Sequence, residues 1–373
     1  MSQSPEDWKL FRGNHTPHDD IKRLPAAPPW RPFGKDASVS ASRRKRRGET
    51  FQARPEEVQM VNAALYLRRP LLVTGRPGTG KSSLAYAVAH ELMLGEVLYW
   101  PITTRTSLKD GLYSYDAIGR LQEAKQSQTT EDYTEDPQKI ADYITLGPLG
   151  TALFESDRPR VLIIDEIDKS DIDLPNDLLT IFEEGRFEIP ELARLEQEPE
   201  PGKEAKPVQV RVRTAYTDAS ETLTYQERKV SIEAGRVTCT EFPLVILTSN
   251  GERDFPPPFL RRCLRLNMRD PDLIELQGIV EAHLKDCDLS EDQVSSLIES
   301  FWTRREKGKE QLATDQLLNA LFMIVRQRDW VGDEKEILLD HLLARLDRPL
   351  ETKVRKNMAK RSASTQPDQR ADD

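Results

Sequence analysis

The segment from Gly75 to Ser82 has the residue types and spacing that bind phosphate groups. It reads GRPGTGKS and fits the pattern GxxxxGK followed by serine or threonine. The glycines let the backbone curve so that its N–H groups point at phosphate oxygens, while the lysine supplies a cation to the β- and γ-phosphates. The alternative is a glycine-rich turn that binds nothing. The predicted phosphate-binding residues are Gly75, Arg76, Pro77, Gly78, Thr79, Gly80, Lys81, Ser82 and Ser83.

The segments on both sides of this turn have the patterns of a strand and a helix. Pro70 to Thr74 is a short apolar run (PLLVT), which is typical of a buried strand. Leu84, Val88 and Leu92 follow at i, i+4 and i+8, and Gly95 is a helix stop. Because a phosphate-binding loop joins a strand to a helix, these flanks support the prediction.

Two adjacent carboxylates end another apolar run, Val161 to Glu166 (VLIIDE). In open α/β sheets ligands bind at the carboxyl ends of the strands, where both acids are expected. We predict that Asp165 holds Mg²⁺, directly or through water, together with the hydroxyl of Ser82. Glu166 is predicted to orient and deprotonate an attacking water. In the alternative, both acids merely end a strand at the surface.

Two further acids, Asp168 and Asp171, follow this pair closely. We expect them to cap the next helix rather than to bind a metal, because Asp is a favoured N-cap residue. The apolar positions of that helix are Leu174, Leu178, Ile181 and Phe182.

Asn250 follows a third apolar run, Leu244 to Thr248 (LVILT). A neutral side chain at the end of such a strand can hold the water that attacks a γ-phosphate. Asn after a strand is also a common turn residue. The assignment therefore depends on its place as the third of the ordered motifs, after GRPGTGKS and VLIIDE. We predict that Asn250 takes part in catalysis.

Two adjacent cations, Arg261 and Arg262, follow the segment PPPFL (Pro256 to Leu260). An arginine that reaches the γ-phosphate from a neighbouring subunit stabilises the charge of the transition state. The alternative is an exposed pair at the end of a helix. We predict a catalytic role for this pair.

Short apolar strands separated by helices predict an α/β fold with a parallel sheet covered by helices on both faces. The segment GRPGTGKS adds the P-loop NTPase type to this prediction. Gln122 to Pro137 and Glu191 to Pro207 are polar, and we expect solvated excursions there. Val208 to Thr214 and Val230 to Thr240 alternate in part and predict a hairpin. The strand candidates are Pro70 to Thr74, Val97 to Ile102, Val161 to Ile164 and Leu244 to Thr248.

The composition changes along the chain predict its organisation. The basic run Arg43 to Arg47 is expected to be a solvated linker, with phosphate contact as the alternative. After Pro271 only helical patterns remain. The predicted regions are an extended arm (1–50), an α/β nucleotide-binding domain (51–269) with inserts near 112–145 and 187–240, a small all-helical lid domain (270–350) and a disordered tail (351–373).

The composition limits the class of protein. Hydrophobic residues make up 37% and charged residues 31%, with a net charge of -9 and a mean hydropathy of -0.62, as in globular proteins with exposed charged stretches. No apolar run approaches the ~18 to 20 residues of a membrane span, and the N-terminus lacks a signal-peptide layout, so we expect a cytoplasmic protein. The spacing of Cys239, Cys263 and Cys287 fits neither a disulfide framework nor a zinc site.

The order GRPGTGKS, VLIIDE, LVILTSN, PPPFLRRC resembles the AAA+ ATPases, and more narrowly the MoxR family. Thr145 to Leu153 (TLGPLGTAL) and Phe182 to Leu192 (FEEGRFEIPEL) are similar to MoxR signatures. The resemblance extends from Phe51 to Asp347 and is strongest over 66–268. It implies a hexameric ring with ATP and Mg²⁺ between subunits, and a partner that carries a von Willebrand factor A domain.

The same resemblance implies roles for single residues. Arg262 is the first choice for the arginine finger and Arg261 the second. The two inserts correspond to the family's insert in helix 2 and to its hairpin before the sensor strand. The roles argued above carry over to Lys81, Ser82, Asp165, Glu166 and Asn250.

One departure from the family concerns the helical lid. In the family, the lid helix usually begins with a motif like PST, followed within a few residues by a basic sensor. This chain instead has LATDQLLNAL from Leu312 to Leu321. Asp315 and Gln316 stand where a cation is expected. The second sensor is therefore either absent or supplied by another residue.

Three functions follow as hypotheses. The first is an ATP-hydrolysing, ring-forming chaperone that remodels protein partners. The second is a nucleotide-gated binding scaffold with little turnover, motivated by the missing second sensor. The third is a nucleic-acid remodelling ATPase, motivated by Arg43 to Arg47, although the negative net charge argues against a chain that coats nucleic acid over its whole surface.

Overall fold

In the computed structural model the described residues form two compact units, one within residues 26–271 and one within residues 1–25 and 272–373. The predicted tail at 351–373 lies outside the described residues. The described ranges are 10–11, 15–28, 30–31, 37–127, 137–195, 208–216, 228–284, 291–306, 310–326 and 333–344.

The secondary structure of the larger unit alternates between strands and helices, as predicted for an α/β fold. The strands are β1 (Leu71–Gly75), β2 (Leu98–Pro101), β3 (Tyr113–Tyr115), β4 (Ile144–Leu146), β5 (Val161–Asp165), β6 (Arg186–Glu188), β7 (Gln209–Arg213), β8 (Lys229–Glu233), β9 (Arg236–Thr238), β10 (Leu244–Ser249) and β11 (Leu264–Met268). The helices are α1 (Ala37–Thr50), α2 (Pro55–Leu67), α3 (Lys81–Glu91), α4 (Leu108–Leu112), α5 (Ala117–Ser127), α6 (Pro137–Ala141), α7 (Pro148–Ala152), α8 (Leu174–Glu184), α9 (Pro190–Ala193) and α10 (Pro257–Arg262).

The central sheet is parallel and has the strand order β11-β1-β10-β5-β2. Successive residues of a strand point to opposite faces, and β1 shows this directly. Leu71 and Val73 belong to an apolar cluster with residues of α2 and α3, whereas Leu72 packs in a second cluster with residues of α7 and α8. The prediction of a parallel sheet covered by helices on both faces is confirmed.

A second sheet, with the order β3-β4-β7-β8-β9-β6, is built from the two inserts. The predicted hairpin is confirmed, since β7 and β8 pair antiparallel with Val210 opposite Ile232. The first insert is more ordered than predicted, because α5 occupies part of the expected solvated excursion. The remainder of the two excursions, at 128–136 and 196–207, lies outside the described residues.

The expected extended arm is wrong for residues 37–50, which form α1. This helix packs on α3, where the guanidinium of Arg47 lies 5.5 Å from the centre of the Tyr86 ring, and Arg44 forms an ion pair with Glu96, which follows α3. Gly48 allows the close approach, because a Cβ there would lie 2.6 Å from the Tyr86 carbonyl oxygen. These contacts use charged side chains and a glycine that has no Cβ. The apolar periodicity of the sequence therefore did not predict them.

The regular secondary structure of the smaller unit is helical in its described residues. Its predicted helices are present as α11 (Leu273–Leu284), α12 (Glu291–Glu306), α13 (Thr314–Arg326) and α14 (Asp333–Leu342). Leu276, Phe301, Leu317 and Leu321 are fully buried, which gives this unit an apolar core of its own. None of the helices in the described ranges of either unit is long and apolar enough to span a membrane.

Replacing Gly48 by alanine tests whether α1 is packed on α3. The new Cβ would crowd the Tyr86 carbonyl oxygen, so we expect the free energy of unfolding to fall by about 1–3 kcal/mol through overpacking. In a detached, solvated helix the same change would instead stabilise by up to about 1 kcal/mol, because alanine favours helices over glycine. Urea unfolding of the purified protein measures the difference.

Lys45→Ala is the matched control, because this side chain lies on the same helix and is 68% exposed. It should change the free energy of unfolding by no more than about 0.5 kcal/mol. A Gly48→Ala protein that is more stable than the parent would show that α1 does not pack against α3.

Candidate functional site

The predicted phosphate-binding loop joins the end of β1 to the start of α3. Gly75, Gly78 and Gly80 have φ angles of 150°, 81° and 90°, a region that residues with a Cβ rarely adopt. At Gly75 a Cβ would also lie 2.5 Å from the carbonyl oxygen of Met268 on β11. The glycines are therefore required by the backbone itself, and the loop has the positive φ angles expected of a phosphate-binding turn.

Lys81 lies at the centre of the site, and only 8% of it is exposed. Its Nζ donates hydrogen bonds to the carbonyl oxygens of Gly75 (2.7 Å) and Arg76 (2.9 Å) and to Oδ1 of Asn250 (2.8 Å). Burial lowers the pKa of Lys81, and nearby carboxylates, Asp165 first among them, oppose that shift. The loop thus places a partly desolvated cation where an anionic group would gain strongly from it.

Asp165 ends β5 and accepts hydrogen bonds from three hydroxyl groups. Ser82 Oγ (2.8 Å) and Thr248 Oγ1 (2.6 Å) donate to its Oδ1, and the hydroxyl of Tyr99 donates to Oδ2 (2.8 Å). Burial and the hydrogen bond to Asp165 raise the pKa of Tyr99. The predicted pair Ser82 and Asp165 is in contact, and the carboxylate is oriented from both sides.

Tyr99 and Thr248 were not identified from the sequence. Tyr99 lies on β2, opposite Ile163 of β5, and Thr248 lies near the end of β10, one residue past the pair Leu247 and Ile164. Thr248 gave a partial signal, because it is a hydroxyl residue at the carboxyl end of an apolar run, whereas Tyr99 lies inside its run. What the sequence lacks is the order of the strands, which puts β2 and β10 on either side of β5.

Glu166 and Asn250 lie side by side. Glu166 Oε2 accepts a hydrogen bond from Lys169 Nζ (2.6 Å), and its Oε1 lies 3.5 Å from Asn250 Nδ2. The hydrogen bond with Glu166 raises the pKa of Lys169. Because Asn250 also contacts Lys81 through its amide oxygen, this one side chain connects the phosphate-binding loop to the second carboxylate.

The expectation that Asp168 and Asp171 cap the next helix is wrong. Asp168 is 4% exposed, and its Oδ2 accepts hydrogen bonds from the backbone N–H groups of Asn250 (2.9 Å) and Glu252 (3.1 Å). The Asp171 carboxylate accepts from the N–H of Ile172, and α8 begins later, after Asp173. Asp168 therefore belongs to the site. Its place there was missed from the sequence because Asp is a favoured helix-cap residue.

Arg261 and Arg262 are not brought to this site within one chain. They end α10, just before β11, and β11 starts beside β1 with Leu264 opposite Leu71. The phosphate-binding loop is at the other end of β1, about 15 Å away for a strand of this length at ~3.3 Å per residue. Arg262 forms an ion pair with Glu183 of α8, and Arg261 is exposed.

Within the described residues, the smaller unit has no cation at the start of α13, where the family resemblance implies a second sensor. Gln316 is engaged locally: its Oε1 accepts from the N–H of Ala313 (2.8 Å), and its Nε2 donates to the carbonyl oxygen of Ala344 (2.8 Å). Asp315 is exposed. The departure seen in the sequence is thus matched by a structural role for Gln316.

Comparison with known protein families matches residues 70–255 to the family described as AAA domain (dynein-related subfamily). Comparison with curated proteins gives no significant match. The matched segment starts one residue before β1 and ends soon after Asn250, so it contains the phosphate-binding loop, the two carboxylates and the asparagine, but neither Arg261 nor Arg262. Together with the strand order, this match leads us to conclude that the α/β unit contains an AAA domain.

Proposed function

We propose that this chain binds and hydrolyses ATP as a subunit of a ring-forming, MoxR-like AAA+ ATPase that remodels or activates protein partners. The observation that carries the proposal is the hydrogen-bonded cluster in which Lys81 and Ser82 of the loop meet Asp165, Glu166 and Asn250. Each of these side chains has the chemistry that hydrolysis of a phosphoanhydride requires.

The residues present fit a magnesium ion. Ser82 Oγ and Asp165 Oδ1 are 2.8 Å apart and are hard oxygen ligands of the kind that Mg²⁺ prefers. Ser82 and Asp165 would hold the ion, directly or through water, while Thr248 and Tyr99 keep the carboxylate in place. When bound, Mg²⁺ neutralises charge on the β- and γ-phosphates.

Glu166 would act as the base. Its carboxylate is fixed at one oxygen by Lys169 and faces the Asn250 amide with the other, so an attacking water would be oriented between two fixed groups. Glu166 would accept the proton of that water. Lys81 would exchange its bonds to the loop carbonyls for bonds to the phosphates, and Asn250 would help to hold the water.

Ring formation is proposed from the position of Arg262. This residue lies at the end of the sheet opposite the phosphate-binding loop, so it can reach only the nucleotide of another copy. Head-to-tail contacts of that kind close into a ring when the rotation between successive subunits closes, and we propose that it does here. A hexamer, and a partner that carries a von Willebrand factor A domain, follow from the MoxR resemblance.

A nucleotide-gated scaffold with little turnover is the second candidate. Gln316 is engaged within its own unit, and the proposed base is paired with Lys169. Both features would slow hydrolysis. The nucleic-acid hypothesis is weaker, because Arg44 and Arg47 of the basic run pack against Glu96 and Tyr86.

Two substitutions separate nucleotide binding from hydrolysis. Lys81→Ala removes the loop's cation and should weaken ATP binding at least about 100-fold. Glu166→Gln keeps the shape of the base but not its proton affinity, so ATP should still bind while turnover falls at least about 100-fold. Fluorescent-nucleotide titration and steady-state phosphate release measure the two effects.

Glu155→Gln is the control, because this carboxylate is exposed and lies outside the site. It should match the parent in both assays. A Glu166→Gln protein that hydrolyses ATP at the parental rate would show that Glu166 is not the base, and a parent with no turnover under any condition, partner included, would favour the scaffold.

Mixing two inactive proteins tests the proposed role of Arg262 between subunits. Arg262→Ala subunits keep the nucleotide site, whereas Lys81→Ala subunits keep the arginine. In an equal mixture about a quarter of the interfaces would combine both intact parts, so activity should return to at most about a quarter of the parental rate. Phosphate release by each protein alone and by the mixture measures the recovery.

Arg265→Ala is the matched control, since Arg265 is an exposed arginine on β11. It should be active alone. If the mixture stays as inactive as its components, Arg262 does not act across a subunit boundary, and Arg261→Ala in the same design tests the second choice.

A further inference from the structure

Asp168 is a buried carboxylate with no role in phosphate or metal binding as proposed above. It lies in the short 3-10 turn Ile167–Lys169, directly after Glu166, and is 4% exposed. A buried charge is costly unless hydrogen bonds compensate it. The bonds that Asp168 makes therefore indicate why a carboxylate stands at this position.

Both bonds of Asp168 go to the backbone of the loop that carries Asn250. Its Oδ2 accepts from the N–H of Asn250 (2.9 Å) and from the N–H of Glu252 (3.1 Å). Its Oδ1 is buried and has no hydrogen-bond partner among the described residues. One carboxylate oxygen of Asp168 thus holds two backbone N–H groups of the same loop, two residues apart.

These two hydrogen bonds fix the backbone from which the Asn250 side chain extends. With its backbone fixed, Asn250 presents its amide oxygen to Lys81 (2.8 Å) and its amide nitrogen to Glu166 (3.5 Å). Glu166 and Asp168 belong to the same turn of chain, so the turn that carries the base also anchors the loop that carries Asn250. Asp168 thus helps to set the relative position of base and asparagine, together with Thr248, whose Oγ1 accepts a hydrogen bond from the Glu166 N–H (2.9 Å).

We propose that Asp168 is a positioning residue for ATP hydrolysis, which holds Asn250 in register with Glu166 and Lys81. The inference rests on the proposed hydrolysis. It assigns Asp168 no contact with nucleotide, metal or water. Its effect should appear in turnover rather than in nucleotide affinity, because the bonds from Asp168 reach the loop after β10 and not the phosphate-binding loop.

The first experiment measures the contact without using activity. Hydrogen exchange should show the amides of Asn250 and Glu252 to be protected in the parent, although the Glu252 side chain is exposed. In Asp168→Ala both should exchange at least about tenfold faster, because the acceptor is lost. Asp171→Asn, three residues further along, should leave both amides unchanged.

The second experiment measures the consequence. Asp168→Ala should lower kcat about 10- to 100-fold, as a displaced catalytic group does, while ATP affinity stays within about threefold. Asp168→Asn keeps an acceptor oxygen but loses the charge, so kcat should stay within about fivefold of the parent. Asp168→Ala combined with Asn250→Ala should be within about threefold of Asn250→Ala alone, since both act through one group.

The results separate this inference from the proposed function. A parent without turnover but with protected Asn250 and Glu252 amides would contradict hydrolysis and leave the contact intact. Unchanged exchange in Asp168→Ala, or losses that multiply in the double variant, would overturn the role of Asp168. If Asp168→Ala does not fold, Asp168→Asn decides alone: a kcat loss beyond about tenfold, or ATP affinity falling in step with kcat, overturns the proposal.

Discussion

The site depends on a cation held where water is largely excluded. Lys81 is buried at the start of α3, and its Nζ is bound by two carbonyl oxygens of its own loop and by the Asn250 amide oxygen. Neutral acceptors compensate a buried charge only in part. A binding site of this kind favours an anionic ligand, and the glycines that curve the loop leave backbone N–H groups to meet it.

The strand order brings the other groups to this cation. β10 and β5 follow β1 across the sheet, so their carboxyl ends bring Asn250, Asp165 and Glu166 to the loop. Parallel strands share one such end, whereas Arg262 precedes β11 and lies at the other. Arg262 therefore lies at the end of the sheet opposite the phosphate-binding loop of its own chain.

Local patterns made the loop, the acidic pair and the parallel sheet predictable, because a strand, a turn and a helix are adjacent in sequence. Tyr99, Thr248 and Asp168 were missed, since their roles arise from contacts between segments whose order in the sheet the sequence does not state. Helix α1 was missed for another reason. It packs through arginines and Gly48 rather than through an apolar face.

The most direct test of the account is calorimetric titration of ATP into the unmodified protein, with Mg²⁺ and again with a chelator. The account predicts saturable binding at no more than about one nucleotide per chain, tighter when Mg²⁺ is present because Ser82 and Asp165 would hold the ion, whose charge favours the phosphates. Absence of binding heat at saturating Mg-ATP, together with no rise in thermal stability, would contradict it.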